Sequence, residues 1–273
     1  MRTGFSLALS IVFLVVVSIF VSSSYAVDKG NVVGAWLFDE GSGKVVMDAS
    51  GNQHNGEIKG DKIEWTANGK FGNALRFFGD TKDPKDADCV VSIPHKDSLN
   101  LTTWSITAWI KVTTTYYPGI LNKDNGDFQR NYALWLDDTA GGITAQFTSG
   151  GRMTFQNASG GAVFDDKWRH IAATYDMKTL RAYVDGVSVG ELAASGKPDV
   201  NSDPVIIGNE TPKYGVPVPL NGILDDLALF NVGLTENEVK EIMASGLSKK
   251  FGISSTVSAS GNLATTWAHL KVQ

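Results

Sequence analysis

Short apolar runs separated by turn residues dominate the chain after residue 31. In WSITAWIKV (104–112) the apolar side chains fall on every second position, the period of a strand with one buried face. Comparable strand-like runs occupy 32–38, 55–58, 74–77, 89–93, 119–122, 132–137, 143–148, 153–157, 169–176, 180–184, 187–192, 205–208 and 222–231. Their spacing predicts an all-β, two-sheet antiparallel sandwich. Asp185-Gly186, between AYV and VSV, predicts a two-residue type I′ hairpin turn, because both residues tolerate positive φ. Ser149-Gly150-Gly151 and residues 138–141 predict two more hairpins. Residues 61–73 and 79–88 are polar and 195–204 and 209–219 are Pro/Gly-rich, which makes all four loops. The run at 223–230 is apolar on both faces. It predicts a strand covered on both sides, in which Asp225 and Asp226 need partners.

Helical period appears convincingly once. Thr235 and Glu238 form a capping box, Val239, Ile242 and Met243 share one face, and Gly246 is a natural stop, so a helix is expected over 235–244. The Ser-rich stretch 247–273 carries Leu263, Trp267 and Leu270 at loose helical spacing. It reads either as a segment packed back on the sandwich or as an export or attachment tag.

The N-terminus reads as a secretory signal: Arg2, then an uncharged apolar run over 5–21, then Ser24-Tyr25-Ala26 with a small–x–small ending. Cleavage is expected after Ala26, which places the protein outside the cell or in the cell envelope. The alternative is an uncleaved anchor, for which the run is short. Cys89 is the lone cysteine, so no internal disulfide can form and stability must come from core packing, with or without a metal. With 42% hydrophobic and 10% aromatic residues the chain can bury a sizeable core. The net charge of −5 and the lack of a Lys/Arg cluster argue against nucleic acid as a partner, since binding its phosphates needs clustered Lys and Arg.

The histidines, His54, His95, His170 and His269, are scattered without zinc spacing, and His54 is expected to be exposed in its Asn/Gly turn. No G-x-S-x-G motif is present. The residues suited to touching a ligand are aromatics in or beside polar loops. These are Tyr116, Tyr117 and Trp135, with Asn122 opening the polar stretch 122–130. Sugar rings stack their C–H faces on such rings, and amides pair with hydroxyls.

Four segments taken in order, AWLFDEGSGKVVMDASGNQHNGEI (35–58), WSITAWIKV (104–112), WRHIAATYDMKTLRAYVDG (168–186) and LNGILDDLALFNVGLTENEV (220–239), resemble the bacterial LamG-like jelly-roll domains of the concanavalin A-like lectin/glucanase group. The resemblance spans about 32–245. It implies a jelly roll with one short C-terminal helix over 27–246, between the signal peptide (1–26) and the tail (247–273). It implies core positions for Trp36, Trp104, Trp109 and Trp168, and a packed, hydrogen-bonded core role for His170. In related folds a structural cation joins the first and last strands. Carried over here, it would set Asp39 and Asp48 against Asp225 and Asp226 around calcium, which takes 6–8 oxygens. The competing reading has Asp225 and Asp226 accept backbone N–H bonds or pair with Lys or Arg. Hydrolases of this group place E-x-D-x-x-E or a near relative on one inner strand, but 104–112, 132–137 and 169–176 hold no glutamate, so no catalytic residue is expected. The resemblance therefore implies a secreted, non-catalytic module that binds carbohydrate or another extracellular surface. A structural or adhesion protein without small ligand comes second, and a polysaccharide hydrolase or lyase third.

Overall fold

The computed structural model describes residues 26–79, 89–113, 117–137, 142–209 and 218–254, which form two eight-stranded antiparallel sheets and one α-helix. The strands are β1 (Val32–Trp36), β2 (Val45–Val46), β3 (Gly56–Lys59), β4 (Ile63–Thr66), β5 (Ala74–Phe78), β6 (Val90–Ile93), β7 (Trp104–Val112), β8 (Gly119–Asp124), β9 (Arg130–Asp137), β10 (Gly142–Thr148), β11 (Phe155–Gly160), β12 (Trp168–Tyr175), β13 (Thr179–Val184), β14 (Val187–Ala193), β15 (Val205–Ile207) and β16 (Asn221–Phe230). The first sheet runs β14-β13-β12-β7-β16-β5-β4, with β1 also paired to β16; the second runs β11-β10-β9-β8-β15-β6-β3-β2. This is the two-sheet sandwich that the alternation predicts. Asp185 and Gly186 both adopt positive φ (49° and 75°) between β13 and β14, as a type I′ turn requires.

β4 lies in a stretch read as loop, and β2 lies outside every strand-like run. β2 is only two residues long, and β4 (IEWT) is too brief and polar to announce itself; it holds its place through buried Ile63 and through the Trp65 indole, which donates to the Gly43 carbonyl at 2.9 Å.

The main core lies between the sheets. Trp104, Ile106, Ala108, Ile110 and Val112 of β7 point into it, facing such residues as Tyr132, Leu134 and Leu136 of β9. The second face of β16 is also buried, because α1 (Glu236–Phe251) packs over it in a smaller cluster containing Phe230, Val239, Ile242, Leu247 and Phe251. This double cover explains the unbroken apolar run. The Thr235/Glu238 capping box forms as read, but the helix runs on beyond 244: Gly246 is a kink (φ 69°, ψ 162°) rather than a stop, and Gly252 ends the helix in the left-handed region. Residues 247–253 thus pack on the sandwich through Leu247, Phe251 and Ile253. Among the described residues no helix is long and apolar enough to cross a membrane.

Candidate functional site

Strand alternation on the second sheet builds a polar pocket on its solvent face. Tyr132, Leu134 and Leu136 turn inward, so Trp135 and Asp137 turn outward. The register then sets Gly119, Trp135, Thr144 and Ser159 in one cross-strand row, and Ala133, Gln146 and Asn157 in the next. Residues directly opposite in adjacent strands share a face, so the two rows form one surface. On it Trp135, Asp137, Thr144, Gln146, Asn157 and Ser159, together with Tyr117 and Arg130, line a pocket of about 290 Å³.

The lining is tied into a hydrogen-bonded ladder. Thr144 Oγ1 lies 2.6 Å from Asp137 Oδ2 and 2.7 Å from Ser159 Oγ. The Gln146 amide donates to Asn157 Oδ1 at 2.6 Å, and Gln146 Oε1 accepts from Arg130. Arg130 also pairs with buried Asp124, and its guanidinium lies 4.7 Å over the Trp135 ring and 5.0 Å over Phe155. Such pairing preorganises the polar groups, and planar stacking suits arginine. One group is left over: the Trp135 indole N–H is buried without an acceptor. Gly119 is required beneath the ring, since a Cβ there would run into the Asn122 amide and the Asn209 carbonyl.

Of the ligand-touching residues expected from sequence, Trp135 and Tyr117 thus meet in one pocket. Tyr117 is 42% exposed at its rim, while Trp135 forms the floor. Asn122 lies beneath that floor, fully buried, and its amide donates to the Asn209 carbonyl at 2.8 Å. Tyr116 lies outside the described residues. Arg130, Gln146 and Asn157 had no sequence signal, because polar residues on neighbouring strands become a cluster only once the register is known.

The acidic residues expected to share a cation separate into two places. Asp48 Oδ1 accepts from Ala35 N (3.0 Å) and Ser50 N (2.9 Å), and its Oδ2 from His54 N (3.0 Å). These bonds draw the 48–55 turn inward, and His54 is consequently buried rather than exposed, with Nε2 3.2 Å from Ser98 Oγ. Asp39, Asp225 and Asp226 instead gather about the turn between β4 and β5. Asp39 accepts from Asn73 N at 3.0 Å, and Asp225 Oδ2 accepts from Lys70 N and Phe71 N at 2.6 and 2.8 Å. Asp225 and Asp226 form a bulge in β16, where the register against β7 slips and Asp226 takes a positive φ of 50°. Asp226 Oδ2 accepts from Leu247 N at 2.9 Å, just past the Gly246 kink. Burial pushes both carboxyls up to about 7, and raises Asp39 as well. Asp225 Oδ1 is buried without a partner. The cation that the resemblance implies would therefore draw on Asp225, Asp226 and Asp39 rather than on Asp48, whose two oxygens are already met by backbone N–H groups. Among the described residues no three His, Cys, Asp or Glu side chains stand close enough to hold a metal ion, so backbone or water oxygens would have to complete the shell.

His170 is packed in the interior as expected, 5.3 Å from Trp109, and burial pushes it down to about 3, so it is neutral; its Nδ1 has no hydrogen-bond partner. Trp36, Trp104 and Trp109 are buried, but Trp168 departs from the expected core position. It stands half-buried on the solvent face of the first sheet, at the edge of a second and larger groove.

This sandwich, with its register and double-covered last strand, matches known proteins at the level of family and fold. Residues 85–240, more than half of the chain, match the concanavalin A-like lectin/glucanases superfamily, and the chain belongs to that family. Among solved structures, domain 4 of AbnA, a GH43 extracellular arabinanase from Geobacillus stearothermophilus, in complex with arabinotriose, is similar at 17% identity with a TM-score of 0.59. The match covers 78% of this chain and 98% of that one. The receptor binding domain of botulinum neurotoxin C/D mosaic serotype matches at 14% identity and TM-score 0.56, over 79% of this chain and 51% of that one. A Trypanosoma rangeli sialidase in complex with the inhibitor DANA matches at 16% and 0.53, over 78% of this chain and 33% of that one. At such identities the likeness is one of fold, and the fold serves binding modules and glycosidases alike. Comparison with curated proteins gives no match.

Proposed function

We propose that the protein is a non-catalytic extracellular module that binds carbohydrate in the pocket between Tyr117 and the Arg130–Gln146–Asn157 ladder. The observation that carries this reading is the exposed Tyr117 ring at the rim of a polar lining that is already held in place by its own hydrogen bonds. Tyr117 supplies an exposed ring for a sugar face, and Asp137, Gln146, Asn157 and Ser159 supply donors and acceptors for hydroxyls. Binding rather than cleavage is favoured because the described lining brings one carboxylate, Asp137, whereas the two-carboxylate route to glycoside hydrolysis needs a pair. The arabinotriose held by the similar arabinanase domain is in keeping with a glycan ligand.

A glycan array on the chain from residue 27, followed by calorimetry on the best neutral oligosaccharide, tests the reading. Tyr117→Ala and Asn157→Ala should each weaken binding by about tenfold, roughly the effect of losing one good contact. An array without a neutral-glycan signal, or hits whose affinity neither variant changes, would remove the proposal.

A further inference from the structure

The solvent face of the first sheet carries a second groove, of about 730 Å³, on the opposite side of the sandwich from the pocket just described. Its floor follows from register. Trp168 of β12 pairs with Lys111 of β7, Lys111 with Ile223 of β16, Ile223 with Arg76 of β5, and Arg76 with Glu64 of β4. Directly paired residues share a face, so these side chains form one continuous row across five strands. An aromatic ring, a cation, an apolar step, a second cation and, opposite that second cation on the edge strand, the carboxylate of Glu64 follow one another. Lys111 and Arg76 are two strands apart, roughly 10 Å. Asn68 and Gly69 overhang the row from the β4–β5 turn, and that turn is fixed in place by the bonds from Lys70 N and Phe71 N to Asp225.

The row is less acidic than the whole chain, which carries a net −5: Lys111 and Arg76 stand against Asp166 and Glu64, one acid beside each cation. Of these acids the groove lining holds Asp166, whose carboxylate sits 3.9 Å from Lys111 Nζ, at the outer limit of an ion pair. Trp168 is half-buried at one end, and Ile223 is only 6% exposed between the two cations. A small anion would use one cation and leave the rest of the row empty. An acidic peptide would use both but has no need of the ring. A chain of sugar rings bearing acid groups uses all of it: one ring on Trp168, acid groups on Lys111 and Arg76, hydroxyls on Asn68 and Asn221.

We infer that the Trp168–Lys111–Ile223–Arg76 row is a second binding site, for a segment of an acidic polysaccharide. The inference goes beyond the neutral-glycan pocket and does not rest on it. With both sites occupied, the protein bridges two polysaccharide chains held on opposite faces.

The test is calorimetry on the chain from residue 27 with oligogalacturonate, oligomannuronate and a sulfated galactan oligosaccharide. Fully methyl-esterified oligogalacturonate and a polyglutamate peptide of similar length serve as controls. At least one acidic glycan should bind, with an affinity that falls as salt rises. Arg76→Ala and Lys111→Ala should each weaken it about tenfold, Trp168→Ala severalfold, and Asp166→Asn should tighten it by freeing Lys111. Tyr117→Ala should leave it unchanged, which separates failure at this site from failure at the other. All of these side chains face solvent, and melting curves check that the variants fold. Binding by none of the three acidic glycans would overturn the inference. So would equal binding of the methyl ester, tighter binding of polyglutamate, or indifference to Arg76→Ala and Lys111→Ala.

Discussion

Asp48 and Asp225 are both buried carboxylates, yet they do opposite things to their surroundings. Asp48 spreads its two oxygens over three backbone N–H groups, and a whole turn closes around it. Asp225 receives two N–H groups on one oxygen and leaves the other with nothing, inside a strand covered on both faces. The first carboxylate organises local chain. The second holds distant chain, the β4–β5 turn 155 residues away, at the expense of its own ionisation. The difference teaches that a buried acid must be judged by how its individual oxygens are met, since burial is common to both.

The largest effect should come from Asp48→Ala. It leaves the N–H groups of Ala35, Ser50 and His54 without their acceptor, at about 1–3 kcal/mol for each donor that stays dry. Asp48→Asn, which keeps one carbonyl oxygen, should recover part of that loss. Denaturant unfolding measures both, and an Asp48→Ala variant within about 0.5 kcal/mol of wild type would contradict the account.

The next effect depends on pH and belongs to Asp225. Its carboxyl sits near 7 when folded, against about 3.9 in an unfolded chain, so the folded state binds the proton more tightly. Stability from this group is complete below pH about 4 and is lost as pH rises toward 7. Asp226 titrates in the same sense. His170 opposes them: depressed to about 3, it adds stability above its unfolded value near 6.5 that is lost as pH falls toward 3. Subtracting wild type from Asp225→Asn isolates the carboxyl. The variant should gain on wild type by a few kcal/mol between pH 4 and pH 8, measured by urea unfolding in chelator. A difference that is flat over this range would show that Asp225 is not protonated in the folded protein.

Smaller again is the consequence of Gly246. Its φ of 69° and ψ of 162° free the following N–H of Leu247 to reach Asp226, in a region of backbone space that belongs almost wholly to glycine. Gly246→Ala should therefore cost about 1–3 kcal/mol, part of it from crowding Phe71, which lies 3.1 Å from where the new Cβ would stand. Thermal unfolding checks this; an unchanged midpoint would mean that the kink is incidental.

The same contrast marks what the sequence could disclose. Sandwich, hairpin turn, capping box and the two-sided burial of β16 are all local patterns, and each is legible from alternation or spacing. The inward pull of the 48–55 turn is not, because three of the bonds that cause it go to one side chain, and nothing in DASGNQHNG says which oxygen donor will face inward. The helix overruns Gly246 because of a carboxylate 21 residues upstream, a contact invisible to periodicity. The pocket was legible in Tyr117 and Trp135, since aromatics beside polar loops stand out. Arg130, Gln146 and Asn157 were not, since strand register is a long-range property. Trp168 is expected in the core because the resemblance places it there, but it opens β12 on the parity that faces out.

The smallest expected effect concerns calcium, and it follows from the titration of the Asp225–Asp226 pair. A divalent cation interacts with carboxylates and not with carboxylic acids, so protons and cation compete for the same oxygens. Asp225 Oδ1 is the unmet atom, Asp226 is its neighbour on the bulge, and Asp39 stands close enough to Asp226 to raise it further. Asp48 is fully engaged elsewhere and contributes nothing. With at most these anchors, and with backbone or water oxygens completing the shell, binding should be weak and its stabilisation small, growing as RT ln(1 + [L]/Kd). Calcium in excess over chelator should raise Tm slightly at pH 8, where the pair is ionised, and not at all at pH 5. Asp225→Asn should abolish the pH 8 increment, whereas Tyr117→Ala should leave it. A shift of equal size at both pH values would place the cation on other oxygens. No shift at pH 8 would mean that a proton, and not a metal, is what satisfies the bulge.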